Sequence, residues 1–430
     1  MTDSSPDTAI ATDAAPPGLL HGLLRRRLLA QLDALEGCLL TVQDAEGRVQ
    51  LGRPADTPGD TLHCTLRIDD PTFYRAVAAN GSVGAAEAYV DGLWSCDDLV
   101  ALVRMLVRNR DLLDGMERGT ARLGGWLMRM LDLLRRNTRH GSRRNIAAHY
   151  DLGNELFRLF LSDDLMYSSA IFADPQESLE AASTRKLDRI CRKLALSPAQ
   201  HVVEIGTGWG GFAVHAARHY GCRVTTTTIS REQHELAARR VQEAGLGERV
   251  TLLLSDYRDL AGRYDRLVSI EMIEAIGHQY LDTYFAKLCD LLQNDGLALI
   301  QAITIEDHRY RQALRSVDFI KRHIFPGSFI PSVSAMLAAS ARTGDLRLID
   351  LEDIGPSYAL TLRHWRQRFL ARRDAVMALG YPPRFVRMWE FYLAYCEGGF
   401  LERSIGDAQM LFARPRARRA SWLADLPHAP

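Results

Sequence analysis

Cysteine is sparse and unpaired: seven residues scattered through 430, with no C-x-x-C among them. An odd, unclustered set matches neither a disulfide framework nor a zinc site, so no metal centre is expected and a reducing cytoplasm fits best. Net charge is also missing, because 53 Lys+Arg balance 53 Asp+Glu. The broad positive field of a nucleic-acid binder is therefore absent, and any charged partner must be met by a local patch. No apolar run approaches the roughly 20 residues needed to span a bilayer, so a membrane could be met only from its surface. The opening stretch MTDSSPDTAIATDAAPPG has neither the basic nor the apolar region of a signal peptide, and residues 1–17 read as a disordered tail. What remains, 47% hydrophobic and 25% charged, is an ordinary composition with enough chain for two or three domains.

Residues 18–115 read as a small, mainly helical α+β accessory unit. HGLLRRRLLAQL (His21 to Leu32) has helical spacing with a basic face, CLLTVQDAEGRVQL alternates about a turn as a hairpin does, and LHCTLRIDD supplies a third strand. Apolar residues then recur at three and four from Pro71 to Arg110, broken near Asp97-Asp98 where a helix can start. Residues 116–144 read as a basic helical linker; Leu127, Met128, Met130, Leu131 and Leu134 share it with Arg129, Arg135, Arg136, Arg139, Arg143 and Arg144. A core-facing helix with a solvated arginine face and an anionic-lipid contact both suit that pattern.

From residue 145 to 430 strands alternate with helices: HVVEIG, CRVTTTTI, RVTLLLSDY, YDRLVSIEMI and GLALIQAIT are separated by helical segments, and QMLFARP is a late strand. That rhythm predicts an α/β, doubly wound, mostly parallel sheet with ligands at the carboxyl ends of its strands. Residues 305–356, rich in aromatic, basic and Pro/Gly residues, interrupt it as an insertion or lid.

VVEIGTGWGG, residues 202–211, is a glycine turn between strand and helix. Such a turn lets backbone N–H groups approach a dinucleotide or S-adenosylmethionine. A dinucleotide would also want an Asp or Glu at the end of the second strand, where this chain has TTTTIS. Glu204, two residues before the first glycine, can instead face the positively charged methionine end of S-adenosylmethionine, and the methyl donor is the favoured reading. Asp256 is placed either for the adenine amine or as a helix cap.

The segments HYDLGNELF, MYSSAIF, VVEIGTGWGG, TTISREQ, SDYRDL, SIEMIEAIG, HIFPGSFIPS and GPSYALTL together resemble the cyclopropane fatty-acid synthases, a family of S-adenosylmethionine-dependent lipid C-methyltransferases that includes the mycolic acid cyclopropane synthases. AEAYVDGLW in the first unit is similar to the accessory domain of full-length bacterial members. The resemblance covers about Asn145 to Pro415. It implies a Rossmann-like class I methyltransferase domain whose insertion binds acyl chains. Tyr167 and Ser168 would then touch the methionine portion, Gly206, Gly208 and Gly210 the loop side, Thr228, Ile229 and Gln233 the ribose, and Asp256 with Tyr257 the adenine.

The reaction implied is addition of a methyl group to a cis acyl double bond of a phospholipid, through a carbocation that closes to a cyclopropane. A buried carboxylate and aromatic faces can shelter the cation. Glu274 matches the family's carboxylate, Ile303 its backbone contact, Tyr358 its tyrosine, and a bound bicarbonate ion would serve as base; Cys396 matches a family cysteine that is also readable as simply buried. Two positions depart from the pattern, Ser169 standing for cysteine and Gln301 for histidine, and Ala275 follows the glutamate where many relatives have histidine. Either neutral donors hold bicarbonate, or the cation resolves to a methylene- or methyl-branched chain. Partners implied are unsaturated acyl chains and the inner membrane surface, met peripherally by Phe319, Ile320, Ile324, Phe325, Phe329 and Ile330 beside Lys321 and Arg322; self-association as a homodimer stays open. Methylation of a small soluble acceptor and a lipid-binding protein without catalysis are the competing readings.

Overall fold

The computed structural model describes residues 19–111 and 152–418; the basic segment 116–144 and the tail lie outside them. The first unit holds helices α1 (Leu19–Leu32), α2 (Thr72–Val90) and α3 (Leu99–Arg108) against strands β1 (Cys38–Asp44), β2 (Gly47–Leu51), β3 (Leu62–Ile68) and β4 (Trp94–Cys96). Their order is β2-β1-β3-β4. The hairpin β1–β2 is antiparallel, while β1 and β3 run parallel, Leu40 opposite Cys64. Asp98 starts α3 by accepting from the Ala101 N–H at 2.9 Å, which satisfies one of the orphan donors of a helix start.

The second unit opens with α4 (Asn154–Arg158) and α5 (Leu179–Lys193). It then alternates β5 (His201–Ile205), α6 (Gly211–Tyr220), β6 (Arg223–Thr228), α7 (Arg231–Glu243), β7 (Val250–Leu254), β8 (Tyr264–Ile270), α8 (Leu281–Leu291) and β9 (Leu292–Ile305). After the short α9 (Tyr310–Ala313) and a π-turn at Ile320–Ile324 come α10 (Val333–Thr343), β10 (Arg347–Asp353), α11 (Gly355–Ala371), α12 (Arg373–Ala378), α13 (Pro383–Leu401) and β11 (Ile405–Ala413). The seven strands lie in the order β10-β11-β9-β8-β5-β6-β7. Strands β5 to β9 pair in parallel, and β11 inserts antiparallel between β9 and β10. This is a Rossmann-like doubly wound sheet, and the apolar, β-branched runs of its central strands fit a sheet covered on both faces.

Two features differ from the sequence reading. Arg347–Asp353, placed there inside the insertion, is the edge strand β10, paired with β11; only residues 306–332 stand outside the alternation. The apolar side chains of that segment also do not form an exposed membrane face. Phe319, Ile324 and Phe329 are each 3% exposed, while Ile320, Phe325 and Ile330 line an internal cavity. Lys321 Nζ donates to the Ala313 and Ser316 carbonyls at 2.6 and 2.9 Å, and Arg322 pairs with Glu87 of α2 at 2.9 Å. Burial of large apolar surface outweighs display.

The two units share one core rather than touching at a rim. Tyr89 packs on Phe391 at 5.6 Å, Arg387 lies 4.1 Å over the Tyr89 ring, and Glu402 binds Arg104 and Arg108 at 2.6 and 2.8 Å. Gly398 lets α13 meet α3 closely, because a Cβ there would stand 2.5 Å from Val103 Cγ1.

Candidate active site

The carboxyl ends of β5, β6 and β8 open onto one continuous cavity of about 1260 Å³. At one end is the glycine turn. Gly206, Gly208 and Gly210 all have positive φ (97°, 51° and 86°), which glycine adopts without Cβ strain. Gly206 and Gly208 line the cavity, whereas Gly210 is buried away from it at the start of α6, where a Cβ would meet Ala237 of α7 at 3.2 Å. Glu204, at the end of β5, lies 2% exposed in the same wall, and its Oε2 has no hydrogen-bond partner. Burial pushes its acid up to about 8. A second buried group, the Tyr257 hydroxyl, is likewise unpartnered.

Thr228, Ile229 and Gln233 line the next stretch. Ser230 caps α7 through the Gln233 N–H at 3.3 Å, and Thr228 Oγ1 donates to Gln233 Oε1 at 3.0 Å, so the cap orients the glutamine. Asp256 also lines the cavity, yet it caps the single turn Tyr257–Asp259 and takes a two-pronged contact from Arg258 at 2.8 and 2.7 Å. The cap reading of this aspartate describes where it sits. Tyr167 and Ser168 enter from the other side; Tyr167 meets the Tyr392 hydroxyl at 2.8 Å, and Ser168 accepts from the fully buried Lys186 at 2.8 Å. The glycine cradle, the unpartnered Glu204 oxygen and the polar wall fit S-adenosylmethionine: a carboxyl oxygen without a partner suits a sulfonium, and the cap-held polar groups suit a nucleoside.

Deeper in, Glu274 accepts from the Ile303 N–H at 2.6 Å through Oε1, while Oε2 has no partner. Its remaining surface is cavity wall. Burial first, then the nearby Glu271, raise its acid to about 8. Tyr358 lines the cavity, but Ser169 and Gln301 are fully buried and do not reach it. All three instead converge on a residue that sequence reasoning missed, Glu271. Its Oε1 accepts from the Ser169 N–H at 2.7 Å and the Gln301 amide at 2.8 Å, and its Oε2 accepts from the Tyr358 hydroxyl at 2.7 Å. The register Ile270↔Gln301 brings β8 and β9 together here.

A bicarbonate ion does not fit this arrangement. The Gln301 amide and the Tyr358 hydroxyl already donate to Glu271, the Ser169 hydroxyl donates to the Ala170 carbonyl at 2.9 Å, and a second anion would face the carboxyls of Glu271 and Glu274. Asp407, behind Gln301 at 3.2 Å, is held well above its ordinary range by burial and then by these two carboxyls. Around the buried Lys186 stand Glu271, Asp164, Asp407 and Glu204; the site is rich in acid groups. Cys396 lines the cavity with its thiol pushed far up by burial, so it is not a nucleophile at neutral pH. The only sequence signal for Glu271 was a second acid three residues before Glu274 at a strand end.

Beyond the carboxyls the cavity becomes apolar. It passes Ile303, Phe325, Phe400 and Phe391 and reaches Leu24 and Leu28 of α1, Phe73 and Val77 of α2, and Leu102 and Leu106 of α3. The N-terminal unit therefore supplies part of its wall.

The family described as mycolic acid cyclopropane synthetase matches residues 137–410. The tuberculostearic acid methyltransferase of Mycobacterium tuberculosis is 40% identical over 337 residues, covering 76% of this chain and 77% of that protein. The cyclopropane-fatty-acyl-phospholipid synthase of Escherichia coli K12 is 36% identical over 351 residues, covering 81% and 87%. Among solved structures, a mycolic acid cyclopropane synthase complexed with SAH and CTAB superposes with a TM-score of 0.59 at 28% identity, over 63% of this chain and 98% of that one.

Proposed function

The chain belongs to the mycolic acid cyclopropane synthetase family, and from that premise we propose that this S-adenosylmethionine-dependent methyltransferase acts on the cis double bond of a phospholipid acyl chain and closes it to a cyclopropane. The observation that carries the reading is the single cavity joining a glycine cradle, a pair of buried carboxyls and a long apolar passage. Its volume exceeds the roughly 300–1,000 Å³ of a pocket for one small ligand, as a site for a nucleoside and a hydrocarbon tail together must.

Bound S-adenosylmethionine supplies an electrophilic methyl on a positively charged sulfur. The chain's own residues supply the rest. Glu204 and the unpartnered Glu274 oxygen line the cavity; their ionised forms, which a bound cation favours, act strongly on positive charge in a water-poor site. The rings of Tyr167, Phe325, Phe400 and Tyr392 add cation–π attraction where charge develops on the chain. The apolar passage excludes water that would otherwise quench the cation.

Among the described residues no helix is long and apolar enough to cross a membrane, and the acyl chain is proposed to be drawn from a bilayer surface. On α1, whose inner side walls the cavity, Leu20 and Leu23 are 55% and 56% exposed beside the exposed Arg26 and Arg27. Apolar residues flanked by cations suit an anionic bilayer surface, and this helix, rather than the insertion, is the proposed contact.

A second reading, a methylene- or methyl-branched product, is favoured by Ser169 and Gln301 at positions where the ring-forming pattern has cysteine and histidine. Incubating the purified protein with S-adenosylmethionine and vesicles of cis-unsaturated phospholipid tests both. A mass gain of one CH₂ per converted chain is expected, and NMR of the product assigns ring or branch. Methyl transfer only to soluble amines, with lipid untouched, would overturn the proposal.

A further inference from the structure

Building on the proposed transfer to an acyl double bond, we propose that Glu271 is the base of that reaction, a carboxylate built into the chain in place of a bound ion. Four observations converge on it. The residue holds φ at +47°, a conformation that costs a non-glycine residue about 1–3 kcal/mol and gathers at functional sites. It lines the cavity beside Glu274. Three donors from three separate elements end on its two oxygens: the Ser169 N–H, the Gln301 amide on β9 and the Tyr358 hydroxyl on α11. Neither of the two side-chain donors is a cation, and both are themselves anchored: Gln301 is fully buried within β9, accepting from Gln409 at 3.1 Å, and Tyr358 packs on Phe400 at 4.4 Å.

That arrangement does what a base requires. The donors and the buried Lys186 favour the ionised carboxylate, whereas burial acts more strongly in the other direction and leaves the acid above its ordinary range. The result is a stronger base than a solvated carboxylate, held in one orientation. In the step itself the alkene pair forms the new C–C bond as the C–S bond breaks, its electrons leaving with S-adenosylhomocysteine. Glu271 then takes one proton from the transferred methyl, and the C–H pair closes onto the cationic carbon. The products are the one-carbon-enlarged chain, S-adenosylhomocysteine and a neutral Glu271, which returns its proton to water; no oxidant or reductant enters.

The test compares wild type with Glu271→Gln and Glu271→Gly in buffer stripped of carbon dioxide, using cis-unsaturated phospholipid vesicles. Wild-type turnover is expected to be unchanged by added bicarbonate. Glu271→Gln should lose about 10²–10⁴-fold, the usual contribution of a positioned base. Glu271→Gly relaxes the positive φ and leaves three donors around a carboxylate-sized gap, so bicarbonate or formate should restore at least about tenfold of its lost activity. Wild-type turnover that collapses without bicarbonate, or Glu271→Gln turnover near wild type, would overturn the assignment. A second readout needs no turnover: ¹³C-bicarbonate NMR on the S-adenosylhomocysteine complex should show a bound signal with Glu271→Gly and none with wild type. A bound signal in wild type overturns the assignment, while a protein that methylates no lipid contradicts the proposed function instead, so the two failures are distinguishable.

Discussion

Above about pH 8, where Glu274 is ionised, replacing it by Gln changes charge and little else. The Gln carbonyl can keep the 2.6 Å bond from the Ile303 N–H, so the strand end and the cavity wall stay in place. The oxygen that had no partner becomes an amide that no longer draws positive charge. For a unit charge about 5 Å from a developing cation, at an effective dielectric of about 20, the lost attraction is ~3 kcal/mol, or about 10²-fold in rate. That agrees with the about 10²–10³-fold effect of removing one preorganised electrostatic group from an active site. The assay is steady-state release of S-adenosylhomocysteine with unsaturated phospholipid vesicles, beside thermal unfolding of both proteins. The expected result is a kcat lower by about two orders of magnitude with an unfolding midpoint within ~2 °C. A kcat within about threefold of wild type would refute the claim that this carboxylate steadies the cation.

Other outcomes follow from the same geometry. Glu204 and Glu274 both have acids raised to about 8; a sulfonium favours their ionised forms, so S-adenosylmethionine affinity should rise with pH and level off above about 8, while that of the uncharged S-adenosylhomocysteine sulfur rises less. Calorimetric titration of both ligands from pH 6 to 9 checks this, and Glu204→Gln should flatten the difference. The same raised values mean that the folded state holds protons the unfolded chain has released, so these two groups make folding less favourable as pH climbs from their ordinary range to about 8. Tyr358→Phe removes a donor that lowers the Glu271 acid, and the acidic limb of the rate profile should move to higher pH. Gly398→Ala drives a Cβ into Val103 and should cost about 1–3 kcal/mol in denaturant unfolding. Cys396→Ala should leave turnover near wild type, because the buried thiol stays protonated.

What could be read without coordinates was whatever the chain repeats locally. The strand and helix rhythm, the glycine turn and the aspartate that starts α3 are encoded within a few neighbouring residues. β10 escaped because RLIDLED is a half-exposed edge strand whose partner, β11, lies more than 50 residues downstream. The insertion's Phe and Ile residues were read as exposed because adjacent cations suggested a surface, and only the packing of α2 and α13 against them shows that they are wall and core. Glu271 shows the limit most clearly. The resemblance directed attention to Ser169, Gln301 and Tyr358 as donors, but what they donate to depends on the register between β8 and β9 and on one left-handed residue. The passage into the N-terminal unit has no local signature, since it exists only where two separately encoded surfaces meet.

The most direct measurement supplies S-adenosylmethionine with a fully deuterated methyl group and follows the label into a cis-unsaturated phospholipid. The account predicts one added carbon on the acyl chain bearing two deuterium atoms, the third having left as a proton to the site base. Label retained as an intact trideuteromethyl group, or found anywhere but the former double bond, would contradict it.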